Sequence, residues 1–282
     1  MGLAYDLAVN LGAASAGAAL GATWIEGRRR LRYRHQREFW KFLEQPSVFV
    51  VGGITSPVLL NTLDLELTAL VPSEAERIAL VDFMIRYVRG QEMSGLVGRG
   101  DFHSIVRMAV RLGFLRLPVR PLILHPSEVG ERRTGNLVLI GGSDVNPLTG
   151  ALGPLLGCQL EARINHEGRA VVRDSRLGVE HRASEPGAVE VVDYGVLARG
   201  PNPYNRDSTV VLLAGAHGFG TIAATEVSLG ATAKKQLRGL LRQFDGGFEC
   251  LISYRRSDPS PEGEVTGAVT MEFARPLRPS SG

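Results

Sequence analysis

Cysteine is nearly absent from this 282-residue chain: Cys158 and Cys250 are the only two. That is too few for a disulfide framework, and neither stands in a CxxC or Cys/His cluster, so a reducing compartment is expected and a structural zinc site is not. Missing too are HExxH, GxSxG and GxxxxGKS or GxxxxGKT. Their absence removes the commonest zinc-protease, serine-hydrolase and nucleotide-triphosphatase signatures. No repeat or low-complexity block divides the chain. With 44% hydrophobic residues, whole-chain disorder is excluded and there is material for one large or two small domains.

Formal charge is absent from residues 7–25, a 19-residue stretch between Asp6 and Glu26. At 1.5 Å per residue that length just spans a hydrocarbon core. Trp24 stands where an interfacial aromatic belongs, and Arg28, Arg29, Arg30, Arg32, Arg34 and Arg37 follow at once. Basic residues after the span oppose a cleaved signal and, by the positive-inside rule, put the N-terminus outside and the C-terminal bulk in the cytoplasm of a single-pass cell-membrane protein. Gly17 and Gly21 form a GxxxG pair that lets a second copy approach closely, predicting a homo-oligomer. A buried soluble helix is the alternative for this stretch.

The net charge of +3 conceals how local the basicity is, since residues 26–41 hold seven Lys/Arg against Glu26 and Glu38. The rest of the chain is therefore net negative. A basic run confined to one segment reads as a topology signal resting on membrane lipids, and no nucleic-acid partner is expected. The organisation expected is a transmembrane anchor over 1–27, a basic juxtamembrane helix over 28–45, an α/β domain over 46–275 and a disordered tail over 276–282.

Past Pro46, short apolar runs alternate with helix-like stretches, the pattern of parallel strands joined by helical crossovers. Strands are expected at 47–51, 136–140 and 209–213. Helices are expected at 74–89 and at 101–112, the latter burying Ile105, Met108, Ala109 and Leu112. Short strands at 169–172 and 189–192 suggest an insertion or sheet edge. Strands at 248–254 and 265–273 close the fold as antiparallel edge strands.

Two strands run into glycine. After 136–140 comes GGSDVNPLTG, in which Gly141, Gly142 and Ser143 offer open backbone to a ligand, Asp144 is a free carboxylate, and Asn146 before Pro147 is a helix N-cap. After 209–213 comes AGAHGFGTIAATE, where Gly215, Gly218 and Gly220 surround His217 and Thr221 begins a helix. The turn after the first strand, with Gly52 and Gly53, faces the same side of an open α/β sheet. Asp101 is expected as the N-cap of its helix. The polar, turn-forming stretch 193–205 contributes Arg199 as a cation for phosphate or carboxylate. If chemistry occurs, Asp101, Asp144, His217 and Glu66 are the candidates for acid/base work.

The run His217-Gly218-Phe219-Gly220-Thr221 resembles the GGxGT loop of the LOG/SLOG Rossmann-like nucleotide-binding superfamily. His217 stands for that loop's first glycine, and Ala224 where the family has glutamate, with Glu226 two residues on. The resemblance implies a Rossmann-like, mostly parallel sheet, preceded here by one transmembrane helix, and a nucleotide as ligand. Membrane-tethered sensors of bacterial nucleotide signalling share this layout. A membrane-anchored nucleotide sensor is thus the expectation, with a tethered nucleotide hydrolase or N-glycosidase and a partner-docking protein as alternatives.

Overall fold

A computed structural model describes residues 36, 38–52, 98–114, 122–184, 190–230, 234–244, 247–256 and 267–278. The apolar stretch 7–25, Gly53, Glu66 and the helix expected at 74–89 lie outside them. Among the described residues no helix is long and apolar enough to cross a membrane.

Continuous apolar runs make the central strands. β1 (Ser47–Val51, SVFVV) and β3 (Asn136–Ile140, NLVLI) carry no alternation, because strands inside a parallel sheet bury both faces. They pair in parallel from Ser47 opposite Asn136 to Val51 opposite Ile140. β2 (Leu122–Leu124) extends the sheet beyond β1, also in parallel, and β8 (Asn205–Gly215) pairs in parallel with the other side of β3. β7 (Val191–Asn202), β9 (Phe248–Arg256) and β10 (Ala268–Pro276) complete the sheet through antiparallel pairs. The order is β10-β9-β7-β8-β3-β1-β2. Five strands run one way and β7 and β10 the other, which makes a mostly parallel α/β sheet.

One expected loop is a strand. The stretch 193–205 lies largely in β7 and turns tightly at Pro203 and Tyr204 into β8. Its glycines and Pro201 read as turn formers, yet Gly195 sits opposite Gly215 in a regular ladder, and the register shifts only at Pro201/Asn202. Asn202 secures that turn by donating from Nδ2 to the carbonyls of Arg133 and Gly135, both at 2.7 Å.

Both faces of the sheet are covered. On one, α1 (Arg99–Phe114), α3 (Gly218–Ser228) and α4 (Lys234–Gln243) bury Ile105, Met108, Ala224, Val227 and Leu237 against Phe49, Val138, Ile140 and Leu213. Ala109 of α1 turns to the surface, while Val106 is buried. On the other, α2 (Pro147–Leu156) packs Leu152 and Leu156 on Val50, Leu137 and Val210. Beside α2 lies a separate antiparallel sheet of β4 (Leu160–Ile164), β5 (Ala170–Asp174) and β6 (Val179–Arg182). It buries Leu160, Ala162 and Val172 on Val196, Leu212 and Leu251.

The core reaches back past Pro46, where the sequence set the domain boundary. Phe39, Trp40 and Leu43 are buried in the helix-side core. Gln36 donates to the Leu229 carbonyl, and Trp40 Nε1 donates to that of Ser228 at 3.1 Å. The end of the segment expected as a juxtamembrane helix is thus part of the folded domain.

Candidate functional site

β3 and β8 end side by side in glycine, and a cleft of about 300 Å³ opens there, beyond the carboxyl ends of the strands. Gly142 and Asp144 of the first loop line it, with Gly215, His217, Gly218 and Thr221 of the second. Asp101 and Gly100 enter from the start of α1, and Ala162, Arg163 and Ile164 of β4 form the outer wall. The structure thus brings the three acid/base candidates Asp101, Asp144 and His217 to one cavity.

Glycine is required where the two helices start. A Cβ on Gly100 would lie 2.2 Å from the Gly218 Cα, and one on Gly220 would lie 2.1 Å from the Tyr194 carbonyl oxygen. α1 and α3 therefore meet backbone to backbone, and both amino termini face the cleft. Each helix start carries N–H groups without intrahelical partners and a partial positive charge. α3 begins at Gly218, not at Thr221, so the whole GFGT run is its first turn and His217 is its N-cap residue. His217 is exposed at the cleft. Gly220 is buried and packs on β7, so it serves helix-on-sheet contact and not ligand approach.

Asp101 is 6% exposed and lies in the first turn of α1, inside the helix and not at its N-cap. Burial pushes its carboxyl up to about 6, against a hydrogen bond donated by the Thr221 side chain. A Cβ on Gly141, whose φ is +102°, would come within 3.0 Å of Asp101 Oδ2. The positive φ bends the first loop past this carboxyl at a position where only glycine is relaxed.

The other first-loop residues fasten the wall. Asp144 accepts a hydrogen bond from the Ile164 N–H. Ser143 donates from Oγ and from N to the Ala162 carbonyl, at 3.2 and 3.0 Å. Asn146 caps α2 as expected, its Oδ1 accepting from the Leu148 N–H at 3.2 Å. It also donates to the carbonyls of Val50 and Ile140, at 3.1 and 3.0 Å, tying β1 to β3. Fully buried, it acts as a staple below the cleft. Gly52 is pressed on the Val145 carbonyl and does not line the cavity.

Arg199 is elsewhere. Four ladder positions along β7 from Gly195, roughly 13 Å at strand rise, its guanidinium lies over the rings of Phe39 and Phe42, at 5.7 and 5.9 Å. Burial lowers its pKa, and it does not line the cleft.

Asp193 is the residue the sequence did not single out. It is 1% exposed, and its carboxylate accepts the N–H of Tyr194 at 2.7 Å, of His217 at 3.0 Å and of Gly220 at 2.6 Å. Burial raises its pKa against the pull of those three N–H groups and of His217. It caps α3 from a neighbouring strand and fixes where His217 stands. Both cysteines are free, and burial pushes the Cys158 and Cys250 thiols upward, away from the thiolate form.

No known family model and no curated protein matches the chain.

Proposed function

We propose that this protein binds a nucleotide-derived ligand in the cleft of a Rossmann-like domain and acts as a membrane-anchored sensor. The observation that carries the reading is the convergence of two glycine-ended strands and two helix amino termini on one cavity. In open α/β sheets ligands sit beyond the carboxyl ends of the strands, near the point where strand order reverses. Here the strand order reverses between β1 and β3, and the cleft lies one crevice over, between the ends of β3 and β8. Backbone N–H groups at Gly218 would hold phosphate, and His217, exposed and fixed by Asp193, would contact it. Asp101, which takes the Thr221 hydroxyl and has acceptor capacity to spare among the described residues, would accept from a sugar hydroxyl or a base amino group. The resemblance of residues 217–221 to the LOG/SLOG loop agrees with this. Anchoring through residues 7–25, with the domain cytoplasmic and copies paired through Gly17 and Gly21, belongs to the same proposal.

One observation favours a second reading. The Asp101 carboxyl, raised to about 6, shares the cleft with His217, and such a pair suits general acid–base hydrolysis of the bound nucleotide. A single experiment addresses both. Full-length protein titrated calorimetrically with nucleoside mono- and triphosphates and dinucleotide cofactors should bind at least one of them, and the same mixtures analysed by chromatography should show it unchanged. No binding at millimolar concentration sinks the nucleotide reading. Product formation replaces the sensor with the enzyme.

A further inference from the structure

The small sheet turns one face to the main sheet and the other to solvent. Register sorts its residues: Leu160, Ala162 and Ile164 lie opposite Asp174, Val172 and Ala170, while Glu161 and Arg163 lie opposite Arg173 and Val171. Since Leu160, Ala162 and Val172 are in the core, Arg163, Val171 and Arg173 share the outward face. β6 continues it, with Arg182 opposite Val171 and Glu180 opposite Arg173. Val171 is fully buried although it faces outward, as expected when the arginine stems on either side lie across it.

This face forms an open cleft of about 510 Å³ whose lining includes Arg163, His166, Arg173 and Arg182. Arg163 lines the first cleft as well, so the two clefts adjoin at this residue. The arginines are loosely engaged. Arg163 is 3.7 Å from Glu161, and Arg182 is 3.6 Å from Glu167 and 3.9 Å from Glu180, each longer than a charge-assisted hydrogen bond. Glu180 is held at 2.8 Å by Asn165 Nδ2 instead. Arg173 has no ion pair among the described residues. Such exposed, long pairs contribute little, and a phosphate offering two oxygens to each planar guanidinium displaces them readily.

We propose that the outward face of the small sheet is a second anion site, which receives the distal phosphates of an extended nucleotide whose near end occupies the cleft. The near end rests on the function proposed above; the arginine face stands on its own geometry. Such a ligand has several phosphates or a second nucleotide, and Arg163 lies where its chain crosses from one cleft to the other.

The test compares full-length wild type with the double variant Arg173→Gln/Arg182→Gln, whose shortened stems still cover Val171 and which leaves Arg163 in place. Circular dichroism confirms the fold. Calorimetric titrations use each nucleoside monophosphate, its triphosphate, and inorganic tripolyphosphate. In wild type the best triphosphate should bind about tenfold or more tighter than its monophosphate, and in the variant this ratio should fall to near one with monophosphate affinity unchanged. A variant ratio within about threefold of the wild-type ratio overturns the proposal, as does equal affinity for mono- and triphosphate in wild type. If no nucleotide binds, the proposed function fails, and tripolyphosphate decides separately. Binding that weakens about tenfold in the variant upholds the anion site, and unchanged or absent binding overturns it.

Discussion

Asp101 and Asp193 are both buried carboxyls at the mouth of α3, and they differ in what they hold. Asp193 places its oxygens on three backbone N–H groups, whereas among the described residues Asp101 accepts a hydrogen bond from a hydroxyl on the same cleft wall. For Asp101 this has a consequence for stability. Its folded pKa of about 6 stands above the ordinary 3.8, so the folded protein holds this proton more tightly than the unfolded chain does. The linked stabilisation is complete below pH 3.8 and is lost as pH rises through 6. Asp101→Asn, which cannot ionise, should match wild type near pH 4 and be the more stable protein near pH 7.5, by up to about 3 kcal/mol. Urea unfolding at the two pH values checks this. A stability difference that does not change with pH would mean Asp101 is ionised without penalty, and its place as an acceptor awaiting a ligand donor would be lost.

Elements are joined at the site by very few side chains. The small sheet, which supplies the outer wall, is held by apolar packing, by the hydrogen bonds of Ser143 and Asp144 to β4, and by an ionic knot at its far end. Arg275 on β10 donates to Asp174 on β5 at 2.8 and 2.9 Å, and to Glu249 on β9 at 2.6 Å. Glu249 also accepts the N–H groups of Gln159 and Leu160 at the start of β4. Both carboxylates are fully buried. Burial pushes Asp174 upward, but the Arg275 guanidinium and two backbone N–H groups outweigh it and hold its pKa below the ordinary value. Arg275→Met leaves two buried negative charges facing each other, and should cost roughly 3–5 kcal/mol at neutral pH. Adding Asp174→Asn and Glu249→Gln removes those charges and should recover most of the loss in urea unfolding. Failure of the triple variant to recover would show that Arg275 acts through packing alone.

At this scale it also becomes clear what the sequence could reveal. β1 and β3 were legible to the residue because an apolar run flanked by polar or turn residues has one use in a parallel sheet, and Asn146-Pro147 declared a helix start by local chemistry alone. β7 was illegible because the signal reverses meaning with context: Gly195 and Gly200 look like turn residues, yet Gly195 is small because the carbonyl of Gly220 lies 2.2 Å from where its Cβ would stand. Local pattern cannot display a helix seated on a strand 25 residues away in the chain. The same blindness hid Asp193, whose three N–H partners include two from another element. It also misassigned Arg199, a cation that the fold spends on aromatic rings.

Among the described residues, α3 reaches from the cleft to the amino-terminal segment. Its first turn lines the cavity, and the carbonyls at its far end, Ser228 and Leu229, accept hydrogen bonds from Trp40 and Gln36. Eleven residues of helix span about 16 Å, along a core of Ile222, Ala223, Ala224 and Val227 too closely packed on the sheet to bend independently. A ligand seated on the amino terminus of α3 therefore bears on the segment that leads back toward residues 7–25. Linkage requires the effect to be mutual: whatever the segment does to α3 alters affinity in the cleft by the same factor. Hydrogen exchange of the full-length protein with and without a saturating nucleoside monophosphate, which has no distal phosphates to reach the small sheet, should show slower exchange at both ends of α3 and over residues 38–44, with β6 unchanged. In Trp40→Phe, which keeps the ring and loses the bond to Ser228, protection near the cleft should persist while that over 38–44 diminishes. Protection confined to the cleft in wild type would agree with the proposed nucleotide site and remove α3 as the route by which it informs the rest of the chain.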